Sequence, residues 1–293
     1  MAKKDLRGGE DTVRASMAVY LELMTILGRY RDALVLVGGW VPYFILERFG
    51  QENTGFQHVG SVDIDLAVDH RRVSPAQYAS IVDRLERHGY RQRLDRLGQP
   101  IPFSFERTVT LKGTQEMDIA IDFLAGEYEG TGGSHRHQRI QRNLLARKAR
   151  GCDIVFDHCF DHELSGILPD GAENTVQVKI ADVVGCLTMK GITLGERYHE
   201  KDAYDIYSVI AHHRGGPGEV TLAVQPHLDN ALVREGVEKI AAKFQTIRSI
   251  GPVGVGRFLA SDSAEQQRIM ADAFVSVDEF IRGLSLKAPR ASS

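Results

Sequence analysis

Cysteine is scarce in this chain: Cys152, Cys159 and Cys186 are the only three, and no two form a CxxC pair. The odd count argues against a disulfide framework and points to a reducing compartment. No apolar run approaches the length that spans a bilayer, so no membrane partner is expected. The start, Met1-Ala2-Lys3-Lys4-Asp5-Leu6-Arg7, lacks the apolar centre of a secretory signal, and the expected location is the cytoplasm. Net charge is only −3, which gives no global pull toward nucleic acid; any such binding has to come from a local patch. There is no Walker loop and no Gly-x-Ser-x-Gly elbow. His135/His137 and His212/His213 have no second ligand pair at zinc spacing. Gly251-Pro252-Val253-Gly254-Val255-Gly256 follows a helical pattern, so it lacks the βαβ context of a dinucleotide loop. Internal repeats and low-complexity segments are absent.

What remains is a globular composition of 293 residues, 43% hydrophobic and 26% charged, enough for one large domain or two ordinary ones. Apolar periodicity predicts a helix over 11–30, a strand over 33–37, a helix over 40–49, a loop over 50–60 and a strand over 62–68. Ser74-Pro75 is a helix start, with Gly89 as its stop. Two strands, 101–111 and 116–124, flank a four-residue hairpin connection at 112–115. Residues 125–134 are Gly-rich, 152–160 read as a strand, and Pro169-Asp170-Gly171 as a turn. From 179 the pattern turns helical, over 179–195, 200–213, 219–247 with breaks, and 263–284. Strands before helices predict an α+β fold: a small mixed sheet flanked by helices in residues 1–178, then a helical C-terminal domain in 179–293.

Two segments carry chemistry. The strand Val35-Leu36-Val37 runs into Gly38-Gly39 and a helix, a turn whose backbone N–H groups suit a phosphate. The strand Ser61-Val62-Asp63-Ile64-Asp65-Leu66 then puts Asp63 and Asp65 on one face. Two carboxylates so close repel, and a divalent cation relieves that most directly. A later strand, Glu116–Leu124, offers Asp118 and Asp122 on one face. Four strand residues span about 13 Å, and two-metal clusters are only about 4 Å across. At most one of the pair can therefore join a metal cluster.

These residues resemble the signature of the DNA polymerase β-like nucleotidyltransferase superfamily: strand, Gly-Gly, helix, then a strand with Asp-apolar-Asp. Residues 40–62 separate the two parts, a longer gap than the family's, which reads as an insertion at Gln51–Gly60. The resemblance favours Asp122 as the third carboxylate. Further on, Lys190, Arg197 and Lys201-Asp202-x-x-Asp205-Ile206-Tyr207 resemble the C-terminal motif of AbiEii-type nucleotidyltransferase toxins, the toxin half of a bacterial toxin–antitoxin system. Composition alone reads that segment as a charged interhelical turn with internal salt bridges. The likeness covers roughly residues 33–210.

The resemblance implies that Asp63, Asp65 and Asp122 hold two Mg2+ ions, with Mn2+ as the other candidate metal. Gly38, Gly39 and Ser61 would cradle the phosphates of an NTP. Lys190 would offset charge on the leaving pyrophosphate, and Lys201 and Asp205 would border the nucleotide. The implied acceptor is RNA, the 3' end of tRNA, and the implied partner a cognate antitoxin. Residues 135–150 contain no acid, and Arg139, Arg142, Arg147 and Lys148 are the candidate RNA contacts. The same block also reads as a solvated surface paired with the protein's acids. Two alternatives stand: a nucleotidyltransferase acting on a small hydroxyl compound such as an antibiotic, and a non-catalytic nucleotide-binding interaction module.

Overall fold

The computed structural model describes residues 9–52, 55–73, 81–110, 115–126, 137–141 and 144–284. It is a mixed α+β protein with a mixed sheet and a helical C-terminal region. The predicted helix start at Ser74-Pro75, the connection at 112–114, nearly all of the Gly-rich segment and Arg142 fall outside the described residues.

The first strand, β1 (Leu34–Val37), is buried at all four positions, as an uninterrupted Leu-Val-Leu-Val run requires. It pairs antiparallel with β2 (Ile64–Val68) and parallel with β9 (Glu173–Ala181). On the far side of β2 lies β5 (Glu116–Ala125), parallel to it, and then β4 (Pro100–Thr110) and β3 (Tyr90–Leu94). The strand β8 (Cys159–Ile167) closes the opposite edge beside β9. A hairpin of β6 (His137–Arg139) and β7 (Leu145–Lys148) joins the end of β5, β7 running parallel to it.

Among the described residues four helices belong to this half of the sequence or continue it. The first, α1 (Glu10–Ile26), packs on β5, β8 and β9 and is fixed by polar contacts as well as by its apolar face. Its Ser16 accepts a hydrogen bond from Trp40 Nε1 at 3.1 Å, and its Glu22 takes Tyr90 Oη at 2.8 Å and Arg107 Nε at 3.0 Å. Next come α2 (Val41–Phe49), α3 (Ile81–Arg87) and α4 (Val183–Glu196). Gly89, at φ +80°, ends α3 as expected.

The C-terminal region comprises α5 (Glu200–His212), α6 (Gly216–Val224), α7 (Ala231–Lys243), α8 (Ile250–Leu259) and α9 (Ser263–Gly283). Here α8 packs against α5 and α9, and α9 also against α6. The Gly-Pro-Val-Gly-Val-Gly run is the body of α8: its glycines admit Phe244 and Met270 where a β-carbon would collide.

Several expectations need correction. The N-terminal helix stops at Ile26 and a 3-10 turn follows at Gly28–Ala33, because Gly28 and the charged residues after it break the apolar stripe. Residues 152–156 form a 3-10 turn, not a strand; the strand begins at Cys159. The strand Tyr90–Leu94 is too polar to show a period, and the chain from Lys179 stays extended to Ala181. The sheet, with nine described strands, is not small.

The chain divides into two compact units. One holds the described residues up to Val41 and within Val59–Gly185, hence the whole sheet. The other joins Pro42–His58 to the chain from Cys186 onward. The return of 42–58 to the helices has local causes. Gln51 Nε2 donates to the carbonyls of Ala211 and His213, Phe56 stacks on His212 at 3.6 Å, and Gly50 bridges His213.

Candidate functional site

Within the sheet unit, the turn after β1 begins at Gly38, φ +75°. A β-carbon there would lie 2.1 Å from Asp65 Oδ2, so only glycine lets the turn close against that carboxylate. Asp65 pairs with Val37 on one side and, through the parallel β2–β5 ladder, with Asp122 on the other. Residues in register on neighbouring strands stand about 4.8 Å apart and face the same way. The two carboxylates are thus neighbours on one face, both partly exposed. Asp63 lies just before β2 and is exposed, Ser61 is buried in the approach to the strand, and Gly39 is half-buried in the turn.

Asp122 is held by side chains of β3 and β4. Ser104, in register with it, donates to Oδ1 at 2.5 Å, and Arg93 reaches Ser104 at 3.2 Å and Asp122 at 3.9 Å. Asp118, four residues earlier, has different company: it accepts from Thr108 and, through both oxygens at 3.2 Å, from Arg91 Nη2, whose Nε donates to Glu106 at 2.7 Å. Its charge is neutralised at the surface and it is not in register with Asp65. Behind Asp65, burial first, then the charges of Asp153 and Asp65, push the Cys152 thiol far above its ordinary range, so it is an inert neighbour.

A second polar constellation lies within the helical unit. Asp205, fully buried, accepts from Lys190 Nζ at 2.7 Å, Lys201 Nζ at 3.1 Å and His58 Nε2 at 3.0 Å. Lys190 also binds Asp202 at 2.8 Å. Burial raises the Asp205 pKa, but Lys190, Lys201 and His58 outweigh it and hold the carboxyl well below the usual range. Burial likewise opposes the Lys190 charge, and Asp205 and Asp202 more than restore it. For Lys201 burial wins, and its pKa drops below the ordinary lysine value. His58 is driven down to about 4 by burial despite Asp205, so it is neutral at pH 7 and its Nε2–H is the donor. Two ammonium groups then face two carboxylates. Among the described residues nothing donates to Asp202 Oδ2, with Arg197 at 3.8 Å. The arrangement contains Lys190, Lys201 and Asp205 as the sequence motif grouped them, with the Lys190 ammonium committed to two carboxylates.

No protein-family model matches this sequence, and no curated protein matches it. The chemistry of the site is accordingly read from its own side chains.

Among the described residues no three His, Cys, Asp or Glu side chains form a ready metal-holding group. Mg2+ does not require one, since it is held by one or two carboxylates together with substrate phosphates and waters. Hard carboxylate oxygens from Asp65 and Asp122, side by side, fit that donor set. Asp63 is the remaining candidate.

Of the basic block, Arg139 and Arg147 are exposed and Lys148 is half-buried. Its described residues include the two strands of the β6–β7 hairpin. Ser104, Arg93 and His58 escaped the sequence reading. Ser104 belongs to Asp122 only through strand register, which no local pattern encodes, and His58 sits in a loop with no period. Among the described residues no helix is long and apolar enough to cross a membrane.

Proposed function

We propose that this chain is a metal-dependent nucleotidyltransferase with a polymerase β-like core, moving an NMP from an NTP to a hydroxyl of RNA. The observation that carries the reading is the pairing of Asp65 with Asp122 on adjacent parallel strands, pressed against a glycine turn after β1. Carboxylates placed side by side at such a turn are costly without a cation to share.

In this reading Asp63, Asp65 and Asp122 hold Mg2+, which when bound polarises the phosphoryl group and offsets its charge. Gly38 and Gly39 offer backbone N–H groups to the triphosphate, with Ser61 beside them. The acceptor oxygen attacks the α-phosphorus, the bond to the bridging oxygen breaks, and pyrophosphate leaves. Asp122, which Ser104 and Arg93 orient, would take the acceptor's proton. Lys190 can serve a leaving pyrophosphate only by exchanging a carboxylate for phosphate oxygen, so its first role is to tie α4 to α5. The C-terminal motif supports the narrower reading of an AbiEii-type toxin acting in the cytoplasm on the 3' end of tRNA, with an antitoxin as partner.

Incubation of the pure protein with each NTP labelled at the α-phosphate, Mg2+ and total RNA tests this. Label in a tRNA-sized band is expected. Label on an added aminoglycoside but never on RNA would move the acceptor to small hydroxyl compounds, and no transfer at all would leave only an interaction module.

A further inference from the structure

The hairpin beside Asp122 and the strand β4 together carry a column of flat side chains that the transfer chemistry does not use. The Arg147 guanidinium lies over the Phe103 ring at 5.7 Å, and Phe103 stacks on His137 at 5.3 Å with an interplanar angle of 29°. Arg147 is in register with both His137 and Leu124. Leu124 is two residues beyond Asp122 on β5, so Arg147 emerges on the face that bears Asp122 and Asp65. By strand geometry the Cα atoms of Asp122 and Arg147 are about 8 Å apart.

The hairpin is anchored from below. Ile140, Leu144 and Ala146 are buried, and the buried Gln141 accepts the Ile81 N–H at 2.8 Å. Above, Arg139 and Arg147 are exposed, and among the described residues neither makes an ion pair. Exposed guanidinium charge in an acid-free stretch attracts phosphate. An exposed guanidinium backed by two rings is the kind of platform on which a nucleobase stacks.

We infer that the Arg147–Phe103–His137 column is the seat for an unpaired base of a single-stranded RNA end, with Arg139 on its phosphate. The inference rests on the RNA-directed reading above and deepens it: the seated base belongs to the acceptor strand, whose terminal hydroxyl then approaches Asp122. Stacking is sequence-tolerant, so the seat recognises that the end is single-stranded rather than which base it carries.

The test is equilibrium binding of a short single-stranded RNA ending in 2-aminopurine, without NTP or metal. Wild type is expected to quench the 2-aminopurine fluorescence. Arg147→Lys keeps the charge but loses the plane, so it should bind about tenfold more weakly and lose the quenching. Its salt dependence should stay that of wild type. Arg139→Ala should instead lower the log–log salt slope by about 0.7 and keep the quenching. Phe103→Leu, apolar and near in size, should behave like Arg147→Lys, and Phe103→Tyr like wild type. Full affinity and quenching in Arg147→Lys would overturn the seat, as would a wild type that never quenches. Loss of NTP affinity in Arg147→Lys with oligonucleotide binding unchanged would overturn it too, assigning the column to the nucleotide's own base. Quenching by a protein that transfers nothing would support the seat and count against transfer alone.

Discussion

Gly38 and Asp65 constrain one another. Alanine at position 38 meets two obstacles, φ at +75° and the Asp65 carboxylate 2.1 Å from the new methyl. We expect Gly38→Ala to cost about 1–2 kcal/mol from the backbone alone, and to displace Asp65 and abolish transfer; chemical denaturation and a transfer assay check the two effects separately. The carboxylates themselves separate by partner. Asp65→Asn and Asp122→Asn should each lower kcat by more than about 100-fold, since even residues that only orient metal ligands are worth 10–100-fold. Neither should lower the melting temperature, because each removes one of two adjacent like charges. Asp118→Asn, which loses only a surface pair to Arg91, should stay within about 0.5 kcal/mol of wild-type stability and keep its activity. An inactive Asp118→Asn beside an active Asp122→Asn would transfer the third-carboxylate role.

Between α4 and α5 the Lys190–Asp202–Asp205–Lys201–His58 network does structural work. Removing one partner of a buried pair leaves an uncompensated charge, so Lys190→Ala should destabilise by about 3–5 kcal/mol. Were Lys190 purely a phosphate ligand, that variant's urea midpoint would match wild type. Its neighbour Gly191 lets α4 and α7 approach closely: a β-carbon there would stand 2.2 Å from the Gly236 carbonyl oxygen. The network also sets a pH dependence. Unfolded His58 takes its proton near pH 6.5, and folded His58 only near 4. Between those values the unfolded chain binds more protons, so stability falls as pH drops, by about 3 kcal/mol in all. Asp205, held below the usual carboxylate range, stays ionised across that window. His199 and His212 are also lowered, chiefly by burial, so His58→Gln should flatten only part of the acid limb. A pH series of urea midpoints for the two proteins reads the difference.

The elements that define the sheet were legible where period and punctuation agree. Leu34–Val37 before Gly38, the Asp strand, and Glu116–Ala125 with its alternating acids all declare themselves. Tyr90–Leu94 is a half-exposed polar strand, and its place in the sheet comes only from pairing with Glu106 and Arg107. Lys190, Lys201 and Asp205 are grouped by the resemblance, and composition already reads internal salt bridges in that segment; that the network is buried and includes His58 shows only in the folded chain. The assignment of 42–58 to the helical unit rests on Gln51, Phe56 and His58 reaching residues more than a hundred positions later, which sequence proximity cannot reveal.

The whole molecule is thus read as a sheet bearing acids at a glycine turn, joined to a helical unit with its own neutral ion network. Its central claim is that the Asp65–Asp122 pair transfers nucleotides. The most direct measurement compares NTP labelled at the α-phosphate with NTP labelled at the γ-phosphate, on wild type, Asp65→Asn and Asp118→Asn with Mg2+ and RNA. The account predicts that α-label enters RNA with wild type and Asp118→Asn, that γ-label is released as pyrophosphate, and that Asp65→Asn does neither. Equal α-label transfer by Asp65→Asn, or γ-label appearing on the RNA, would contradict it.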